Sequence, residues 1–89
     1  MCRSIHNLHN FEPPTTSEEV HAAALQYVRK VSGMQKPSQL NAEVFDEAVA
    51  QIAGVTERLL KSLTTNAPAK DRETEAVKAR ARAAARYAT

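Results

Sequence analysis

A chain of 89 residues with 43% hydrophobic and 25% charged side chains reads as one small folded domain and excludes a disordered chain. Its core must be limited, because a chain of this length buries only about 60–65% of its unfolded surface. One cysteine excludes an internal disulfide, no apolar run approaches the roughly 20 residues of a membrane span, and a net charge of +2 selects no class of partner.

The first fifteen residues form an arm, and Cys2, His6 and His9 are its chemically sharpest feature. Their i, i+4, i+7 spacing would place three side chains within roughly 60° of one another if residues 2–10 were helical. That face is a ligand set for a soft metal, zinc first, with His21 as a fourth ligand if the arm folds back. It is equally a thiol with a nearby base. Loss of Met1 would add a free amine beside the Cys2 thiol. Against a metal stand the single sulfur and the missing CxxC spacing. On the same wheel Ile5 and Leu8 point to one side, so the arm can simply dock Ile5, Leu8 and Phe11 on the helices. No cofactor is expected from the rest of the chain. Arg3 precedes no apolar leader segment, and a lone thiol suits a reducing compartment, so the expected location is the cytoplasm.

Prolines punctuate the rest of the chain. Pro13-Pro14 hold an extended Phe-Glu-Pro-Pro link, since a proline pushes its predecessor out of the helical region. Thr16-Ser17-Glu18-Glu19 is a capping box. Val20, Ala23, Ala24, Tyr27, Val28 and Val31 then follow the spacing of a buried helical stripe, which Gly33 stops. This first helix is predicted over about 16–33. A second, over about 38–65, starts at Ser38 or Asn41 and carries the strongest pattern of the chain. That pattern comprises Phe45, Ala48, Val49, Ile52, Val55, Thr56, Leu59, Leu60 and Leu63. Asn66, Ala67 and Pro68 end it.

The third helix, over about 71–88, opens with Asp71, Glu73 and Glu75 and closes with Arg80, Arg82 and Arg86, an order that complements the helix dipole. Its apolar stripe of Val77, Ala81, Ala84 and Ala88 is thin, so propensity carries it more than burial does. Residues 70–89 hold half of the chain's 12 lysines and arginines. Lys78, Arg82 and Arg86, with Arg80 beside them, form a basic face able to neutralise phosphates. The competing reading is a solvated face in which Glu75 pairs with Lys78. No aromatic residues interleave there for base stacking. An alanine face also buries too little to hold a membrane interface. No strand pattern appears anywhere. The expected fold is all-α: a small three-helix arrangement with the N-terminal arm, itself a short helix in one reading, packed across it.

The Met-Cys-Arg opening, Asn10-Phe11-Glu12-Pro13-Pro14, the run Ala24-Leu25-Gln26-Tyr27-Val28-Arg29-Lys30-Val31-Ser32-Gly33, Lys36-Pro37-Ser38 and Lys78-Ala79-Arg80-Ala81-Arg82-Ala83 together resemble one family. It comprises short bacterial proteins catalogued as domain of unknown function 2277. The resemblance covers essentially the whole chain and implies no assigned activity. It implies that Cys2, Asn10, Phe11, Pro13 and Pro14 belong to the shared pattern. His6 and His9 depart from that pattern, which weighs against the metal.

There is no phosphate-cradling glycine loop, no pair of carboxylates set for acid–base work and no Ser-His-Asp arrangement. The leading expectation is therefore a protein–protein or self-association module, a homo-oligomer through the second or third helix. Two alternatives stand beside it. One is nucleic-acid binding through Lys78, Arg80, Arg82 and Arg86. The other is a metal or reactive-thiol site at Cys2, His6, His9 and His21. No membrane role is expected.

Overall fold

The computed structural model describes residues 4–87. Cys2 and Ala88 lie outside them, as does the side chain of Tyr87. The protein is mostly helical, with α1 at Ser17–Ser32, α2 at Ala42–Ser62 and α3 at Arg72–Tyr87.

Local sequence accounts for the ends of α1. Thr16 is its N-cap: the Thr16 hydroxyl accepts from the Glu19 N–H at 3.2 Å, and the Glu19 carboxylate accepts from the Thr16 N–H at 3.0 Å. At the other end Gly33 takes φ +74°, a left-handed conformation that costs glycine nothing, and its N–H donates to the Arg29 carbonyl. For α2 the N-cap is Asn41 rather than Ser38. The Asn41 side-chain amide turns back to the Ser38 hydroxyl, which leaves the intervening residues in a turn. Leu63 is already extended, so α2 ends short of residue 65. Asp71 opens α3, its carboxylate accepting from the Thr74 N–H at 2.8 Å and the Thr74 hydroxyl at 2.9 Å.

The arm is not helical, contrary to one expectation. Residues 4–10 form bends, with Asn10 at φ 63° and the His9 N–H donating to the Asn7 side-chain oxygen. Asparagine tolerates that left-handed position and caps its own turn, so the chain is turned away from a helix before one can start. Phe11–Glu12 forms β1, which pairs in parallel with β2 at Lys70–Asp71, Phe11 facing Lys70 and Glu12 facing Asp71. This ladder corrects the expectation of no strand. Two residues are too few to show alternation in a sequence.

The core lies between α1 and α2, which pack as an antiparallel hairpin around Ala24, Val28, Phe45 and Val49, with Val20 also buried. Leu25, Met34, Ala48, Ile52 and Ala53 close over it. Helix α3 makes no comparable packing with either. The fold is therefore open rather than a closed bundle. Its extents are 43 × 39 × 15 Å and its radius of gyration is 15.8 Å, against about 12 Å for a compact chain of this length.

That openness leaves expected core positions in solvent. Val31 is 70% exposed, Val55 57% and Leu59 54%, although each continues a buried stripe. Tyr27 and Leu63 are exposed as well. The α3 stripe of Val77, Ala81 and Ala84 faces solvent too, because no element among the described residues packs on it.

Candidate functional site

Two surfaces stand out, and each follows from how the elements meet. The first is a clasp that ties α3 to the hairpin. Asn10 sits at its centre: its side-chain amide donates to the Pro68 carbonyl at 3.1 Å and the Ala67 carbonyl at 3.4 Å. The Asn10 carbonyl accepts from the Lys70 N–H at 2.8 Å. From the first turn of α3, Arg72 reaches across to α1. Two of its guanidinium nitrogens donate to the two oxygens of Glu19 at 2.8 and 3.0 Å, and its Nε donates to the Pro13 carbonyl at 2.6 Å. This fork is the paired geometry in which an arginine–carboxylate contact is strongest. The ring of Phe11 lies under two cations, with Lys70 Nζ at 5.5 Å and Arg72 Cζ at 5.7 Å from its centroid.

Glu19 therefore serves two ends at once, capping α1 and holding α3. Its carboxyl is lowered from 4.5 to about 2, first by the hydrogen bond from Arg72 and then by the Thr16 N–H. Arg72 is raised correspondingly by Glu19. The Thr74 N–H and hydroxyl hold Asp71 below its ordinary range.

Between the arm and α3 the clasp encloses a cleft of about 430 Å³. Leu8, Phe11, Ala76 and Ala79 give it an apolar wall, while Lys70 and Arg82 bring charge to it.

The second surface is one face of the hairpin. Tyr27 precedes Val28 on α1, as Val44 precedes Phe45 and Ala48 precedes Val49 on α2. In an antiparallel pair the flanks that precede the core stripe on each helix fall on the same face. Tyr27, Val44, Ala48 and Val55 share that face, with Leu59 and Val31 at its edge. The opposite face is marked by the Ser17 hydroxyl, which donates to Glu57 at 2.6 Å. Val44 is 72% exposed, and the stretch from Val44 to Leu59 is about 22 Å long at 1.5 Å per residue.

Among the described residues, the histidines singled out in the sequence do not converge, while the basic residues share α3. His6 lines the cleft, with its Nδ1 3.1 Å from the Asn7 carbonyl; His9 is half-buried in the arm and His21 exposed on α1. Cys2 lies outside the described residues, and among the described residues no three His, Cys, Asp or Glu side chains converge as a metal site. On α3, Lys78 pairs with Glu75 at 3.4 Å and Arg80 with Glu73 at 3.8 Å. Arg82 turns to the cleft, and Arg86 lies exposed near the helix end. Among the described residues no helix is long and apolar enough to cross a membrane.

Sequence reasoning missed Lys70 and Arg72 as parts of a site. The pairing of Arg72 with Glu19 spans 53 positions and has no local signature. The available signal was the Asn10-Phe11-Glu12-Pro13-Pro14 run, whose Asn10, Phe11 and Pro13 all converge on the clasp.

Residues 1–78 match the family described as "Uncharacterized conserved protein (DUF2277)", and the chain belongs to that family. No curated protein and no solved structure matches it.

Proposed function

We propose that this member of the family is a self-association module, whose hairpin face of Tyr27, Val44, Val55 and Leu59 docks on a second copy. The carrying observation is the surface left over by the open fold. The chain exposes 7057 Å², whereas a compact monomer of its mass would expose about 5,200 Å². The difference, roughly 1,900 Å², exceeds the ~800 Å² that each partner gives to a standard interface. Helices bury one apolar stripe each, and domains are normally built by covering such a stripe with another layer. Here α3 points away, so that layer comes from outside the chain. A face centred on one tyrosine and three branched aliphatics, without a charged residue among them, has the composition of an interface centre.

The basic-helix alternative draws less support, because Lys78 and Arg80 already have acidic partners on their own helix. The metal and thiol alternative rests on Cys2.

Sedimentation equilibrium over a hundredfold range of concentration tests the proposal. The expected result is a reversible dimer whose dissociation constant rises at least tenfold in Val55→Glu and Leu59→Glu, with unchanged helical circular dichroism. A strict monomer at every concentration, or a dimer indifferent to both substitutions, overturns it.

A further inference from the structure

The cleft between the arm and α3 has a chemistry of its own that self-association does not use. Its volume of about 430 Å³ falls within the roughly 300–1,000 Å³ of small-molecule sites. Such sites combine an apolar wall with a few convergent polar groups, and Leu8, Phe11, Ala76 and Ala79 supply the wall.

The charges around it do not cancel. Glu19 spends both oxygens on Arg72, and Glu75 is taken by Lys78. Lys70 and Arg82 remain. Among the described residues no carboxylate lies in ion-pair contact with either of them. Lys70 is half-buried with its ammonium over the Phe11 ring, so it is positioned rather than free to wander. Two cations without acidic partners at the edge of an apolar wall form a receptor for an anion carried on an apolar body.

We infer that this cleft binds a small amphiphilic anion, its apolar body against Phe11, Ala76 and Ala79 and its anionic head on Arg82 at one end of that wall, with the Lys70 ammonium adding to the positive field from the other end. A carboxylate and a phosphate monoester share the required head-group chemistry, and Arg82 can meet either with two parallel N–H donors. The occupant would touch both the arm and α3, adding to the short ladder, the Asn10 and Arg72 hydrogen bonds and the Phe11 contacts that already join them. Binding therefore tightens the hold of α3 on the hairpin. The cleft shares no residue with the hairpin face, so anion binding stands independently of self-association.

The test is a titration of the full chain with 2-naphthoate, 2-naphthyl phosphate and neutral 2-naphthamide, followed by amide chemical shifts. At least one of the two anions should give saturable shifts at Phe11, Lys70, Ala76 and Ala79, and the tighter of the two identifies the head group. The amide should bind at least tenfold more weakly. Lys70→Met and Arg82→Met should each weaken the anion at least fivefold without altering the free spectrum elsewhere. Val55→Glu should leave the titration unchanged. Equal binding of the anions and the amide, shifts confined to Val55 and Leu59, or no saturable shift at all overturns the inference. So does anion binding indifferent to both methionine variants.

Discussion

The hairpin and the clasp hold together by different physics. Between α1 and α2, four buried apolar side chains (Ala24, Val28, Phe45 and Val49) exclude water, with Val20 also buried on α1, and among the described residues no buried polar side chain joins them. Between the hairpin and α3 almost every contact is polar and directional: the Arg72 fork on Glu19, its Nε on Pro13, and the Asn10 amide on residues 67 and 68. Apolar burial is non-directional, untitratable and unscreened. A half-exposed ion pair is none of these. One small chain thus carries a robust half and a conditional half, and the two should respond to different insults.

The sharpest way to break the comparison is to empty the hairpin. Phe45 is 6% exposed and touches the centre of the core. Phe45→Ala should cost about 3–5 kcal/mol, the range for removing a buried aromatic ring. With so small a core, that is enough to abolish the cooperative thermal transition followed by circular dichroism. A variant that still melts cooperatively within a few degrees of the parent would show that the hairpin core is not what holds the chain.

The same contrast explains what was legible in the sequence. Everything that organises α1 is local: Thr16 and Glu19 are three apart and Gly33 follows the last turn, so the helix could be read residue by residue. The core stripe of Val20, Ala24, Val28, Phe45 and Val49 obeys helical periodicity and was equally legible. Periodicity says which residues share a face, but not whether another element will cover it. For that reason Val31, Val55 and Leu59 read as core and stand in solvent. The arm is a different case: the Cys2, His6 and His9 spacing presupposes a helix, residues 4–10 form bends instead, and Cys2 lies outside the described residues. The Arg72–Glu19 clasp joins residues more than fifty positions apart, and no one-dimensional pattern encodes such a pair. What the sequence did carry was the Asn10–Pro14 motif, legible as pattern before its structural purpose was visible.

A milder blow falls on the clasp. Arg72→Met keeps much of the aliphatic reach but removes the fork on Glu19 and the donor to Pro13. The pair is about a third exposed on each side (34% for Arg72 and 29% for Glu19), so solvent screening keeps the loss small. Thr16 still caps α1, and the hairpin melt should scarcely move. Nitrogen-15 relaxation should instead show α3 reorienting faster than α1 and α2. If all three helices keep one correlation time, the ladder and Asn10 suffice to hold α3, and the conditional half is stiffer than its contacts imply.

The gentlest test leaves the covalent chain intact and titrates Glu19. Its carboxyl is lowered from 4.5 to about 2 by Arg72 and Thr16, so the unfolded or undocked state binds the proton more readily than the docked state. A depressed acid contributes stability that is fully present above its ordinary value of 4.5 and is lost as pH falls through that value toward 2. The contribution is under about 1 kcal/mol once the partial exposure of the pair is allowed for. It should appear as loosening of α3 below pH 4.5 while the hairpin signals stay in place. Asp71, held low by Thr74, titrates in the same direction at the first turn of α3. Glu19→Gln separates the two: it retains a hydrogen-bonding side chain at the capping position but carries no charge for Arg72. In that variant α3 should already be loosened at neutral pH, and only the Asp71 part of the acid response should remain. An α3 that loosens on acidification equally in the parent and in Glu19→Gln would assign the conditional behaviour to the Asp71 cap instead of the clasp.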